Sequence, residues 1–321
     1  MEAQLVAKIP SGEEWQYEPK WDGFRCIAFR EGSELDLRSK SGQQLGRYFP
    51  EVVEALRNIK CKSFVLDGEL VIQEGDSFSF DSLLQRIHPA ASRVQKLSNE
   101  TPAHYIIFDL LATSTGKLIS GDTLGERRSA LEAFAERYLK GQKAISLSPV
   151  TYSIKDAEKW LSSSGALMDG IMAKKIMMPY QSGNRTGMVK VKRMRTADCV
   201  VGGFRYGTNS KLVGSLLLGL YDDSGEFHHV GFTSSLSASE KKELTPKLEK
   251  LKAKSSFTEN IPGGPSRWST ERSSEWVPLK QTLIVEIKYD HFTGGRFRHG
   301  TKLLRWRPEK APKQCTFEQI A

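Results

Sequence analysis

The sequence predicts an α+β protein: a mixed-sheet domain with a few helices, followed by a small β-barrel domain. Three observations predict it. Apolar residues are spread along all 321 residues, which rules out disorder as the main state. Up to residue 192, short apolar or period-two runs alternate with two capped helical stretches. Beyond residue 197 short strands dominate and one further helix appears. At roughly 150 residues per domain the length suggests two domains. The boundary is expected at 194–198, where a basic run gives way to the second strand set, dividing the chain into 1–195 and 196–321.

The elements follow in order. Residues 15–38 predict paired strands, with 24–29 and the alternating 34–38 joined by the turn Arg30-Glu31-Gly32-Ser33. Residues 64–66 and 70–72 predict a second strand pair, with Asp67-Gly68-Glu69 between them. Residues 105–111 form a continuous apolar strand containing one acid, Asp109. Thr123 and Glu126 make a capping box ahead of a helix reaching Leu139, and Ser153 opens a shorter helix that stops near Gly165. Strands at 170–174 and 189–192 complete the first domain. The second is expected to hold strands at 199–204, 215–221, 226–232, 283–289 and 302–306. It also holds a helix over 237–251, capped by Ser237 and Glu240 and kinked at Pro246, and a loop at 262–266. Five short strands and one helix match a Greek-key barrel of the OB type, a common nucleic-acid scaffold.

Composition excludes several classes. No apolar run approaches the ~18 residues of a membrane helix, and no basic-then-apolar leader is visible at the N-terminus. Cys26, Cys61, Cys199 and Cys315 form no CxxC pair, which argues against a zinc site or disulfide framework and fits a reducing cytoplasm. The six histidines have no metal-ligand spacing with them, and neither a Walker A sequence nor a GxSxG elbow is present. The net charge of +9 is clustered: 174–195 carries seven Lys/Arg and no acid, and 288–313 carries eight against two acids. Such clusters suit a polyanionic partner.

Several motifs could carry chemistry. In Glu18-Pro19-Lys20-Trp21-Asp22-Gly23-Phe24-Arg25, a lysine sits between carboxylates ahead of an Asp-Gly turn. A lysine is a nucleophile only when neutral, so it needs a site that favours proton loss. The acids of Asp67-Gly68-Glu69, Asp109 and Asp169-Gly170 lie in strand-edge settings that could hold Mg²⁺. Lys190 and Lys192 share one face of a strand, where two like charges call for an anion between them, and a phosphate fits. The stretches at 294–300 and 305–310 alternate cations with aromatics, suiting phosphate contact and base stacking.

Taken together and in this order, these pieces resemble the covalent nucleotidyltransferase superfamily, and within it the small stand-alone bacterial ATP-dependent DNA ligases of the C type. The motifs are KxDGxR at 20–25, DGE at 67–69, the Phe108-Asp109 strand, Asp169-Gly170 before an apolar strand, KxK at 190–192 and RxRPxK at 305–310. Six collinear motifs across almost the whole chain make the likeness specific. It implies a nucleotidyltransferase (adenylation) domain followed by an OB-fold domain, and an enzyme that uses ATP and Mg²⁺, with Mn²⁺ able to substitute. Lys20 would attack the α-phosphate to form lysyl-AMP, AMP would pass to the 5′-phosphate of a DNA nick, and the 3′-hydroxyl would displace it.

The resemblance also implies roles. Glu18 would receive the adenine amino group, Phe108 stack on the base, Arg25 contact the ribose and Arg38 the phosphates. Glu69 and Asp169 would hold metal directly or through water, and Lys190 and Lys192 would bind the α-phosphate. Arg305, Arg307 and Lys310 would close over the pyrophosphate, and the barrel would then turn about 194–198 to grip DNA. The chain departs from the usual pattern in having Asp169 where Glu is common and Glu309 where Asp is common. With only 19 residues before Lys20 and no added DNA-binding module, nick binding is expected to rest on the two domains and their basic runs. The expected partner is nicked double-stranded DNA in a repair setting, the expected state a cytoplasmic monomer away from membranes. The alternatives are an RNA ligase, a GTP-using capping-type enzyme, or an OB-containing nucleic-acid-binding protein whose catalytic site has decayed.

Overall fold

The computed structural model describes residues 1–162, 168–263 and 275–320. It divides into two units, Met1–Arg193 and Met194–Ala321.

Two sheets build the first unit. One runs Glu34–Ser39, Phe24–Glu31, Ser63–Glu74, Ala103–Ala112 and Ile145–Leu147, antiparallel except for the last pair. The other runs Gln4–Leu5, Met188–Lys192, Gly170–Lys175 and Trp15–Lys20. Phe24–Glu31 and Glu34–Ser39 form the expected hairpin, whose turn uses the left-handed backbone of Gly32 (φ +60°). The Trp15–Lys20 strand does not pair with that hairpin; its partner is Gly170–Lys175, some 150 residues away in sequence.

Residues 63–74 correct a second expectation. They form one continuous strand, not a pair, and Asp67-Gly68-Glu69 lies inside it. A glycine permits this: a Cβ at Gly68 would come within 2.5 Å of the Ile106 carbonyl oxygen and 2.7 Å of the Tyr105 ring. The ladder to Ala103–Ala112 shifts register between Asp67 and Gly68, which re-aims the two acids.

The helix Leu124–Tyr138 has its capping box, with the Glu126 amide donating to Thr123 Oγ1 at 3.3 Å. The helix from Ser153 covers Ile154–Ser162, and its expected stop at Gly165 lies outside the described residues. Of three further helices, Pro50–Arg57 and Phe80–Arg86 carry Val52, Leu56 and Leu83 into the larger sheet's core, and Ala91–Glu100, with Val94 buried, packs against Pro50–Arg57.

In the second unit five strands lie in the order Phe227–Thr233, Val213–Tyr221, Arg195–Tyr206, Ile284–Tyr289, Lys302–Trp306. A parallel bridge between Thr233 and Thr301 joins the outer strands and closes the barrel. The helix Ala238–Lys250 lies between the third and fourth strands in sequence, which completes the OB arrangement. This helix runs through Pro246, beside which the Thr245 hydroxyl donates to the Lys241 carbonyl at 2.6 Å. Of the expected loop at 262–266, residues 264–266 lie outside the described residues. The barrel core is apolar and aromatic, with Phe227 stacked on Phe257 at 4.9 Å. Cys26, Cys199 and Cys315 are buried as free thiols. Among the described residues no helix is long and apolar enough to cross a membrane.

Candidate active site

Alternation along Trp15–Lys20 puts Gln16, Glu18 and Lys20 on one face of the strand. Gln16 Nε2 donates to Glu18 Oε1 at 2.8 Å, and Lys174 Nζ donates to Glu18 Oε2 at 2.7 Å. Both partners of the Glu18–Lys174 pair are buried, so each charge needs the other. Lys20 Nζ pairs with the Asp169 carboxylate. Main-chain bonds fix the same junction: the Asp169 amide donates to the Lys20 carbonyl at 2.8 Å, and the Arg193 amide donates to the Asp169 carbonyl at 3.0 Å. Gly170 is required there. Its φ of +152° disfavours any L side chain, and a Cβ would sit 2.0 Å from the Val191 carbonyl oxygen. That close approach brings the strand of Lys190 and Lys192 alongside, with Lys192 opposite Gly170 and Lys190 opposite Met172.

The larger sheet supplies the other residues. Arg25 donates from Nε and Nη2 to the two oxygens of fully buried Asp67, at 3.0 and 2.5 Å, and the Tyr180 hydroxyl donates to the same carboxylate at 2.7 Å. Burial opposes the Arg25 charge, but the Asp67 carboxylate outweighs it and holds the guanidinium pKa above its ordinary value. The Phe108 ring has Lys174 Nζ at 4.5 Å and Arg25 Cζ at 5.5 Å from its centroid.

Between these walls lies a cavity of about 270 Å³. Of the residues expected from sequence, Glu18, Lys20, Arg25, Glu69, Phe108 and Lys190 line it. Asp169 reaches it through Lys20. Arg38 is not among the lining residues; its Nε pairs with Asp36 at 2.5 Å and its Nη1 donates to the Gly42 carbonyl. Lys192 is also absent from the lining. Asp109, a candidate metal ligand by type, is committed to Arg127 by a bidentate pair at 2.8 and 2.9 Å. Asp67 and Asp109, the other strand acids offered for Mg²⁺, also line the cavity, as do Lys174, Tyr180 and Lys40, which the motifs did not single out. Lys174 had a signal, since it ends the apolar strand after Asp169-Gly170 at the start of the basic run.

Burial lifts the Glu69 carboxyl to about 8, against the pull of Lys20 and Arg25. Burial lowers the Lys190 pKa, helped by repulsion from Lys20 and Lys192. The cavity therefore pairs a lysine at a strand end with an acid that favours a further cation, and it is ringed by fixed positive groups. Such a site accepts a polyphosphate.

The three remaining expected residues lie in the second unit. Arg307 Nη1 donates to both oxygens of Asp198 at 2.8 and 3.0 Å, and Lys310 Nζ donates to Asp198 Oδ2 at 2.7 Å. Arg305 Nε pairs with Glu286 at 2.5 Å.

A mixed-sheet domain with a lysine at the end of a cavity-lining strand, followed by an OB barrel, defines the covalent nucleotidyltransferases. A family model described as ATP dependent DNA ligase domain matches residues 2–192, and one described as ATP dependent DNA ligase C terminal region matches 209–310. DNA ligase C1 of Mycolicibacterium smegmatis is 40% identical over the whole of this chain and 92% of its own length. DNA ligase C of Mycobacterium tuberculosis is 38% identical with the same coverage. A solved Lig E DNA ligase superposes with a TM-score of 0.57 at 18% identity, covering 96% of this chain and all of that one, which supports the fold. The chain belongs to the ATP-dependent DNA ligases, and among them it is similar over its whole length to bacterial C-type ligases. Neither the RNA-ligase and capping alternatives nor a decayed binding protein is favoured by these matches.

Proposed function

We propose that the chain seals nicks in duplex DNA with Lys20 as the nucleophile, in the service of DNA repair. The observation that carries this is the placement of Lys20 Nζ against Asp169 in the cavity shared with Glu18, Glu69, Phe108 and Lys190. The Lys20 ammonium must lose a proton before it attacks, and the Asp169 oxygen it already touches is placed to take it. The Lys20 nitrogen then bonds to the α-phosphorus of ATP while the bond to the β-phosphate oxygen breaks and pyrophosphate leaves. The 5′-phosphate of the nick next attacks the same phosphorus, breaking the N–P bond and returning the lysine. Attack by the 3′-hydroxyl finally expels AMP.

Glu18, held as an acceptor by Gln16 and Lys174, suits the adenine amino group. Phe108 offers its face to the base, and Arg25, fixed by Asp67, is set for the ribose. Lys190 and Lys192 serve the α-phosphate and Arg38 the remaining phosphates. Arg305, Arg307 and Lys310, carried by the OB domain at 196–321, serve the departing pyrophosphate of a nucleotide held by the domain at 1–195. Glu69 and Asp169 would hold Mg²⁺, with Mn²⁺ able to replace it. The fit rests on hard oxygen donors and on the raised Glu69 carboxyl, which a divalent cation would relieve. When bound, the metal supplies neutralisation of charge on the phosphates. Action as a monomer in the cytoplasm completes the reading; the free, largely buried cysteines suit a reducing compartment.

Intact mass after discharge with pyrophosphate, then incubation with Mg²⁺ and either ATP or GTP, tests the proposal. The expected result is a gain of one AMP, with ATP only, in wild type and not in Lys20→Ala. Adenylation of Lys20→Ala would overturn the assignment. At pH 7, Mg²⁺ binding should release a proton from Glu69 and cease to do so in Glu69→Gln, read by calorimetry in buffers of different ionisation enthalpy.

A further inference from the structure

The tail residues Arg305, Arg307 and Lys310 are given a task on phosphates, yet in the second unit each is engaged by a carboxylate. The engagement is built into the barrel. Asp198 on Arg195–Tyr206 is the register partner of Glu286 on Ile284–Tyr289, and Glu286 is the register partner of Arg305 on Lys302–Trp306. Two carboxylates directly opposite on neighbouring strands repel. Arg307 relieves the repulsion: its Nη1 bonds both Asp198 oxygens and lies 3.6 Å from Glu286 Oε2. Lys310 adds a second cation to Asp198, and Glu309 takes Arg307 Nε at 2.5 Å. Three cations thus meet three acids.

The acids and the cations differ in freedom. The Asp198 side chain is short and mostly buried. Its backbone is gripped at both ends by one side chain: the Asp198 amide donates to Gln319 Oε1 at 2.9 Å, and Gln319 Nε2 donates to the Asp198 carbonyl at 3.2 Å. Arg307 and Lys310 are long, more exposed, and lie on the segment beyond the last strand. The cations are the part that can leave, and leaving exposes Asp198 and Glu286 to each other.

We propose that Asp198, seconded by Glu286, is a positioning residue that holds Arg307 and Lys310 away from nucleotide phosphates and competes with ATP for them during adenylation. This rests on the reading above, in which these two cations act on the pyrophosphate moiety. A ligand shifts such an equilibrium only by its differential affinity for the two states, so weakening the acid side favours the phosphate side.

The test is single-turnover formation of lysyl-AMP on pyrophosphate-discharged enzyme across a range of ATP, beside sealing of a preformed 5′-adenylated nick. Asp198→Asn keeps the shape and removes the charge. It should lower the ATP concentration at half-maximal rate by about three- to tenfold, as expected for loss of two partly exposed ion pairs. Sealing should stay within about twofold. Glu286→Gln should move the same way by less, and Asp198→Glu should restore the wild-type value. If Asp198→Asn does not fold, Glu286→Gln decides the matter. An unchanged or raised half-maximal ATP, or equal losses in adenylation and sealing, would overturn the proposal and leave Asp198 a structural anchor of the tail. Arg307→Ala and Lys310→Ala separate the two levels: if neither weakens adenylation, the role of the tail cations fails; if either does and Asp198→Asn leaves ATP use unchanged, only the competition fails.

Discussion

The two units handle charge differently. In the first, ionic groups are buried and held by several bonds at once: Arg127 on Asp109, Arg25 and Tyr180 on Asp67, Lys174 and Gln16 on Glu18. In the second, the core is a closed apolar barrel, and the cations of interest are themselves partly exposed, two of them paired with the buried Asp198 and one with Glu286. Buried pairs fix geometry, because separating them strands a charge in low dielectric. Pairs with a partly exposed cation are cheaper to exchange, because water and salt replace the lost partner. The first unit therefore presents a preset cavity, and the second holds its tail cations in pairs that cost less to separate.

Substitutions can break or sharpen this contrast. The largest stability effect should come from Asp109→Ala, which leaves the fully buried Arg127 guanidinium without its bidentate partner. A loss of about 3–5 kcal/mol in urea unfolding of the first unit is expected. A loss below 1 kcal/mol would mean that water reaches the pair and that the first unit is softer than described.

Acid should find a buried titrating group of the barrel, His229. Burial, then Arg296 and Arg205, push His229 down to about 3. The unfolded chain takes up a proton near pH 6.5 that the folded barrel refuses until about pH 3. Stability is thus whole above pH 6.5 and falls as the pH drops between those values. His229→Phe should remove an acid-side loss on the order of a few kcal/mol, seen as a flatter dependence of the urea midpoint on pH between 7 and 4. An unchanged slope would assign the loss to other groups. At the small end, Glu309→Gln should leave the urea midpoint where it is, since its pair with Arg307 is exposed. DNA affinity, by contrast, should fall steeply with added salt if the basic runs meet phosphates, and a flat response would turn them away from DNA.

Much of the fold and site was legible because the ligase motifs are local. KxDGxR, DGE, the Phe108 strand, Asp169-Gly170 and KxK each announce themselves within a few residues, and all of them fall on strands or strand junctions of the first unit. What was missed lacked a local signal. The helices Pro50–Arg57 and Ala91–Glu100 have no side-chain N-cap, and Phe80–Arg86 is only seven residues long. The grip of Lys174 on Glu18 spans 156 positions and that of Arg307 on Asp198 spans 109, so neither pairing leaves a trace in spacing. The single strand through Asp67-Gly68-Glu69 looked like two because an Asp-Gly step usually marks a turn, whereas here Tyr105 needs the space a side chain would fill.

The buried thiols offer a clock for each unit. Burial raises Cys26 in the first unit, and Cys199 and Cys315 in the second, above the ordinary thiol range, so an alkylating reagent meets little thiolate while the fold is closed. Each becomes reactive when its own surroundings open. Mass-resolved labelling over time would then date the opening of the catalytic domain and of the barrel separately, within one tube, with native residues as the reporters and no dye or tag to disturb either part.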